Sequence, residues 1–447
     1  MPGFSHRPHG RPADGDMRTP GGDTASERGW RAGMNVFPGQ SFGRPGTFAA
    51  LAYRNYRLWF AGQLISLLGT WMQMTAQGYL VFELTRSSAY LGYVAFASGV
   101  PTWLFMVYGG AVADRMSRRT LMVITQTAMM VLAFVLAGLT LADIVRPWHI
   151  LVMAFLLGTA NAFDAPARQA FVLEMVERRD LTNAIALNST LFNSATAIGP
   201  AAAGFTYAAV GPGWCFFLNA VSFLGVIAAL LMMRLPPAAP RSARASAGAE
   251  ILEGLRYTAH HPVIRTMILL IGAASLFGIG LFTLMPAWAV EILNGDARTL
   301  GTLQSFRGLG ALIGALGLAT ASRYRFKGRL VTAGSFGFPL MLLAFSLTRH
   351  LPVALLVLLF VGVAQILLMN AANVIVQSRV ADGLRGRVMG VYTLTFFGLM
   401  PLGGLLAGTI ADRMGDPLAV AIGGGALLAF SGAIWLAQPA LRSLEVE

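Results

Sequence analysis

Apolar runs of membrane length recur along most of the chain, separated by short polar turns. They lie near residues 58–80, 90–112, 120–142, 148–166, 184–210, 213–233, 264–290, 299–320, 330–348, 352–376, 389–411 and 417–437. At 1.5 Å per residue, a helix of about 20 residues crosses the ~30 Å hydrocarbon core of a bilayer. The pattern predicts an all-α membrane protein with twelve transmembrane helices. Residues 1–46, rich in Arg, Gly and Pro with no apolar run, read as a disordered cytoplasmic tail without the apolar core of a signal peptide. Residues 47–57 read as a short interfacial helix. Leu235–Pro262 carries Pro236, Pro237 and Pro240 and reads as a linker followed by a short surface helix over 249–260. The expected organisation is a six-helix bundle over 47–234, the linker over 235–262, a second bundle over 263–440 and a cytoplasmic tail over 441–447.

Polar residues inside the apolar runs are not scattered. In the first run, Gln63, Ser66, Thr70, Gln73 and Gln77 follow steps of 3, 4, 3 and 4, which place them on one helical face. The fourth run and its end carry Asn161, Asp164 and Arg168 at steps of 3 and 4, and the tenth carries Asn370, Asn373 and Gln377 at the same steps, with Gln365 nearer its middle. Polar side chains in hydrocarbon are costly unless they pair or face water. These stripes therefore line a watered cavity or bond helix to helix. Arg307 lies eight residues into its run, about 12 Å from the start at 1.5 Å per residue. It is a candidate either for an anionic group or for tying two helices together.

Charge orders the spans. With both termini inside, twenty-seven of the 33 Lys and Arg residues fall on the inner side and five on the outer, with Arg307 within a span. That asymmetry is the positive-inside pattern, and a miscount by one span would mix the two sets. The composition agrees: of 447 residues, 55% are hydrophobic and only 12% charged. The net charge of +13 would suggest a nucleic-acid partner in a soluble chain, but here it sits in loops and tail, so the partner it implies is the bilayer. One cysteine, Cys215, leaves no intramolecular disulfide and no Cys-based metal site. The six histidines show no metal-ligand spacing. There is no Gly-x-x-x-x-Gly-Lys-Ser/Thr loop, since the single lysine, Lys327, has the wrong neighbours, and no Gly-x-Ser-x-Gly. A nucleotide-driven pump and an enzyme are both disfavoured, and no cofactor is expected.

The turn between the second and third runs reads Gly110-Ala-Val-Ala-Asp114-Arg115-Met-Ser117-Arg118-Arg119. A glycine about one turn from an aspartate allows close helix approach, and the aspartate has basic residues behind it. The two halves echo each other. Gly317 closes the second run of the second half and precedes the basic Arg323, Arg325, Lys327 and Arg329, but Ala321 replaces the aspartate. Pro200 and Pro401 both fall in a fifth run, with Gly199 and Gly204 in one half and Gly404 and Gly408 in the other. Small residues and proline there allow close packing and a bend. Asp412-Arg413 imitates the Asp114 turn but falls on the outer side.

The Gly110–Arg119 turn resembles the loop signature of the major facilitator superfamily, Gly-x-x-x-Asp-Arg-x-Gly-Arg-Arg, with Ser117 in place of a glycine. The segment Asn161-Ala-Phe-Asp164-Ala-Pro166-Ala-Arg168-Gln169 with Leu181-Thr-Asn183 resembles the bacterial branch of enterobactin exporters and drug:proton antiporters. The Gly199-Pro200 pair resembles the motif of antiporter branches, without its upstream glycines. The resemblance implies two pseudo-symmetric six-helix bundles and a cavity lined by spans one, four, seven and ten. Gln63, Thr70, Gln73, Gln77, Asn161, Asp164, Gln365, Asn370 and Asn373 then become cavity residues, with Arg307 beside them. It also implies a latch of Gly110, Asp114, Arg115, Arg118 and Arg119 that holds the cytoplasmic ends together in the outward-open state. The function implied is export of a small amphipathic molecule, drug or siderophore-like, by alternating access, with the proton gradient as energy source. The setting is a monomer in the bacterial cytoplasmic membrane, both termini inside. An importer of a nutrient, a lipid-handling member and a sensor are the other readings, and substrate identity is not legible in the chain.

Overall fold

The computed structural model describes residues 48–234, 247–320 and 327–438. Among them the chain is all helix, with no strand. Twelve long helices follow one another: α1 (Arg54–Thr85), α2 (Ser88–Arg115), α3 (Arg118–Leu141), α4 (Pro147–Phe171), α5 (Leu181–Val210), α6 (Pro212–Met232), α7 (Pro262–Ile292), α8 (Ala297–Thr320), α9 (Lys327–Ser346), α10 (Leu351–Arg379), α11 (Arg385–Met414) and α12 (Asp416–Ala437). A short linker helix, Ala247–His260, precedes α7. The expected tail over 1–46 and its counterpart over 441–447 lie outside the described residues, as does 235–246 of the linker. The interfacial helix expected over 47–57 is shorter: a 3-10 turn covers Ala49–Ala52, and α1 begins at Arg54 after the extended Tyr53. Tyr53 is held there by its hydroxyl, which donates to Asp180 at 2.7 Å. Burial and that carboxylate push the Tyr53 phenol above its ordinary pKa.

Eight of the twelve, α3, α4, α6, α7, α9, α10, α11 and α12, are long and apolar enough to cross a membrane by length and composition. Of the remaining four, α1 carries the polar stripe, while α2, α5 and α8 are rich in small residues where they pack. These four owe less to lipid and more to protein neighbours, so composition reports them less clearly.

The helix ends follow local chemistry. Ser87 caps α2, its Oγ accepting from the Tyr90 N–H. Ser117 caps α3, its Oγ accepting from the Thr120 N–H at 3.1 Å. Its φ of −63° needs no glycine, so the departure from the family signature starts the helix with a side-chain cap. α5 and α11 both end on a glycine with positive φ, Gly211 at +90° and Gly415 at +88°, and a proline opens the next helix within two residues.

Helix neighbours repeat between the halves. Packing runs α2–α4–α3–α6–α1–α5 in the first half and α8–α10–α9–α12–α7–α11 in the second, the same order by position in each half. Two large contacts join the halves, α5 on α8 and α2 on α11, with smaller ones from α1 and α2 to α7 and from α1 to α8. Connections fall at two ends. One end has tight turns, near 86–87, 211, 293–296 and 415, and the other carries the longer basic connections.

α7 is not the continuous helix expected over 264–290. It is α-helical to Phe277, then 3-10 over Ile279–Leu284 and π over Trp288–Ile292. Gly278 and Gly280 sit at the break. A Cβ at Gly278 would meet Phe338, and one at Gly280 would meet the Gly403 backbone of α11. Close approach of α11 is what the irregular stretch accommodates.

Candidate functional site

The seams between the halves are built from glycine. On α5·α8, a Cβ on Gly204 would lie 2.6 Å from the Ala297 carbonyl oxygen, and one on Gly308 would lie 2.7 Å from that of Thr196. Gly301 faces the Pro200 carbonyl, and the Ala201 N–H donates to Ser305 Oγ across the seam at 3.0 Å. On α2·α11, a Cβ on Gly92 would lie 2.9 Å from the Gly404 carbonyl oxygen, and Gly99 abuts the Pro401 ring. Gly199 faces inward instead, against Trp71 of α1. Only glycine lets backbones meet this closely. Gly92 and Gly99 on α2 and Gly301 and Gly308 on α8 share one seven-residue spacing and equivalent places in the two halves. That repeat is legible in the chain and is not part of the sequence reading above, which singles out Pro200 and Pro401 but not the glycines that face them.

Both seams are sealed near the tight turns. There Thr75 of α1 donates to Gln304 of α8 at 2.8 Å, Ser87 to Asp412 at 2.8 Å and Ser88 to Asp416 at 2.7 Å. The Asp412 that imitates the Asp114 turn thus holds the start of α2. Toward the basic end, the α5 face that packs on α8 continues through Thr182, Ala186, Ser189 and Thr190, all exposed. One helix face is dry and interlocked at one end, polar and open at the other.

The polar stripes part company. On α1, Gln63, Ser66, Gln73 and Gln77 are buried and Thr70 is half-buried. Gln73 Oε1 accepts from Asn219 of α6 at 2.6 Å, and Ser222 donates to Asn219. Gln63 is buried too, its Nε2 without a hydrogen bond among the described residues. On α4, Asn161 is exposed while Asp164 is fully buried. Asp164 Oδ1 accepts from Thr125 Oγ1 at 2.8 Å and Gln126 Nε2 at 3.0 Å, and Arg168 Nε lies 3.5 Å from Oδ2. Asp164 is thus paired with Arg168 one turn on and held by two α3 donors that the spacing within α4 did not reveal. On α10, Asn370 and Asn373 are half-buried, and Asn373 accepts from Gln377 at 2.6 Å.

Arg307 projects from α8 between α7 and α10. Its Nη1 donates to Gln365 Oε1 at 3.3 Å, and its guanidinium carbon lies 4.3 Å from the centre of the Phe282 ring. Its Nε is shut off from solvent without a hydrogen-bond partner.

At the basic end, Gly110, Asp114 and Arg115 fall in the last turns of α2, but their side chains lie outside the described residues. Arg118 donates to the Ala170 carbonyl and pairs with Glu174 at 2.9 Å, and Arg119 donates to the Leu231 carbonyl at 2.7 Å. These bonds stay within the first half. The linker helix adds an ion pair from Glu253 to Arg387 of α11 at 2.6 Å.

Two halves of repeated helix order, joined along glycine-lined seams that flank buried polar groups, define a membrane transporter of the major facilitator class. Residues 45–447 match the family model described as transmembrane secretion effector, and the chain belongs to that family. Membership makes it a transport protein and not an enzyme. The Staphyloferrin A transporter of Staphylococcus aureus is 24% identical over 80% of this chain and 90% of its own length. The multidrug efflux pump Tap of Mycolicibacterium fortuitum is 29% identical over 78% of this chain and 87% of its own. A solved POT family transporter in complex with 5-aminolevulinic acid superposes with a TM-score of 0.68, at 11% identity, over 87% of this chain and 97% of that one. The last likeness is one of fold.

Proposed function

We propose that this protein is a secondary active exporter of a small amphipathic molecule, working by alternating access and driven by proton antiport. In this reading all twelve helices cross the bacterial cytoplasmic membrane, as two six-helix bundles with both termini and the basic end inside, and a single copy suffices. The observation that carries it is the asymmetry along α5, interlocked with α8 near the tight turns and exposed and polar toward the basic end. A seam held at one end only is what an alternating-access protein presents with its cleft open to one side. The reverse state requires the glycine contacts to part and the basic ends to meet. The Asp114 turn at the end of α2 is placed in sequence to bias that exchange, and a bias of about 1–3 kcal/mol decides which state dominates. Relatives that are efflux pumps support the outward direction.

The test is accumulation of a panel of amphipathic dyes of either charge in intact cells, with and without a proton uncoupler. An exporter lowers accumulation of at least one dye, and uncoupling restores it to the level of cells lacking the protein. If uncoupling lowers accumulation instead, the protein is a proton-coupled importer and the proposal fails.

A further inference from the structure

Arg307 is a strongly basic group placed in the middle of a helix beside the inter-half seam. Three residues earlier on α8, Gln304 receives the bond from Thr75 of the opposite half, so Arg307 is one turn from the point where the halves meet. An unpaired cation with its Nε shut off from water is costly, and a structural role would normally bring a carboxylate to it. Among the described residues Arg307 makes no ion pair. A guanidinium offers five N–H donors. Gln365 takes one at 3.3 Å, and Nε takes none. Nor does α8 need Arg307 as a tie, since Gly301, Gly308 and Gly310 already bring it into backbone contact with α5 and α10.

A second observation points the same way. The ring under the guanidinium, Phe282, belongs to the 3-10 stretch of α7, which follows the regular helix ending at Phe277 and precedes a π stretch at Trp288–Ile292. Interrupted stretches inside membrane helices recur where solutes bind, because they place irregular backbone and side chains against a cavity. Phe282 is half-buried and packs toward Phe338, so an apolar wall adjoins the cation.

We propose that Arg307, with Phe282 and Gln365, binds the anionic end of an amphipathic solute, a carboxylate by preference, with the apolar part of the solute along α7. A carboxylate takes two parallel N–H bonds from a guanidinium edge and cancels its charge. The inference rests on the transporter reading for why a solute reaches this place, and it narrows the substrate class to organic anions.

The full-length protein in phosphatidylcholine nanodiscs is titrated with 11-(dansylamino)undecanoic acid and with its methyl ester, which lacks the charge and adds one methyl group. The acid is expected to bind at least about tenfold more tightly than the ester. Arg307→Gln is expected to abolish that ratio and Arg307→Lys to keep part of it. Equal affinity for the two probes in the unaltered protein, or binding of neither, overturns the proposal without any variant. A ratio that survives Arg307→Gln overturns it as well. If Arg307→Gln does not reach the membrane, Gln365→Leu replaces it, with a severalfold loss of the ratio expected and an unchanged ratio counting against the site. Doping the discs with phosphatidylglycerol separates the sources of the anion. Displacement of the acid by that lipid identifies a lipid headgroup as the occupant and removes the solute assignment, and unchanged binding supports it. Acid-selective binding without uncoupler-sensitive dye flux would remove the export reading and leave the Arg307 site standing.

Discussion

The two halves share a helix order but differ inside. The second has one continuous apolar core, running from Ile264 through Trp288 and Phe338 to Trp435. The first has three separate clusters: one around Tyr56, Trp59 and Phe171 at the basic end, one around Leu80, Phe82 and Phe216 at the other, and a small one around Met129 and Phe223. Buried Gln63, Ser66, Gln73, Thr125, Gln126, Asp164, Asn219 and Ser222 belong to none of these clusters. In the first half, polar groups largely satisfy one another: Asn219 with Gln73, Asp164 with Thr125, Gln126 and Arg168. In the second, Arg307 stands with one amide and one ring. Polarity that is internally paired holds helices together. Polarity left open is available to something else.

That contrast can be attacked at three strengths. The seams come first, because both halves depend on them. Gly92→Leu with Gly301→Leu drives side chains into the backbones of α11 and α5, and overpacking of this kind costs about 1–3 kcal/mol per site. Dye flux at equal membrane abundance is expected to fall at least about tenfold, with single Gly→Ala changes intermediate. Flux at the unaltered level would mean that the glycines are not contact points during transport.

Next come two charges inside the helices, buried Asp164 and half-buried Arg307, with opposite signs expected. Asp164→Ala strands Arg168 and two donors and should destabilise the protein by about 3 kcal/mol. Arg307→Met removes a charge that no carboxylate among the described residues balances, and should leave stability unchanged or raise it by about 1 kcal/mol. Thermal unfolding of the purified variants in one detergent reads both. A loss at Arg307 as large as that at Asp164 would erase the distinction between paired and open polarity. The smallest effect belongs to the first turn of α3, where Ser117→Gly restores the family's usual residue. It should cost about 0.3 kcal/mol, against about 1 kcal/mol for Ser117→Ala, since glycine is tolerated at an N-cap and alanine is not.

Much of this was legible in advance because it is local. Helix positions follow from unbroken apolar runs, and Gly211 and Gly415 with the prolines beyond them mark where helices must stop and start again. The turn signature at Gly110–Arg119 and the Pro200–Pro401 echo are likewise written along the chain. The apolar run over 264–290 predicts a continuous α7, and the structure departs from it because the approach of α11 is not a property of those residues themselves.

The sequence alone determined the helices, the sidedness of charge, the repeat and the family, each set by neighbours in the chain or by summed composition. Which surface each stripe meets was decided by the tertiary structure. Spacing put Gln63, Thr70, Gln73 and Gln77 on one face, but only packing showed that Gln73 is paired with Asn219 of α6, that Asp164 draws two donors from α3, and that Arg307 meets an amide and a ring and no carboxylate among the described residues. The reason is the solvent. Lipid and helix neighbours are about equally apolar, so hydrophobicity does not mark the face that packs, and the choice rests on shape and hydrogen bonds between helices far apart in sequence.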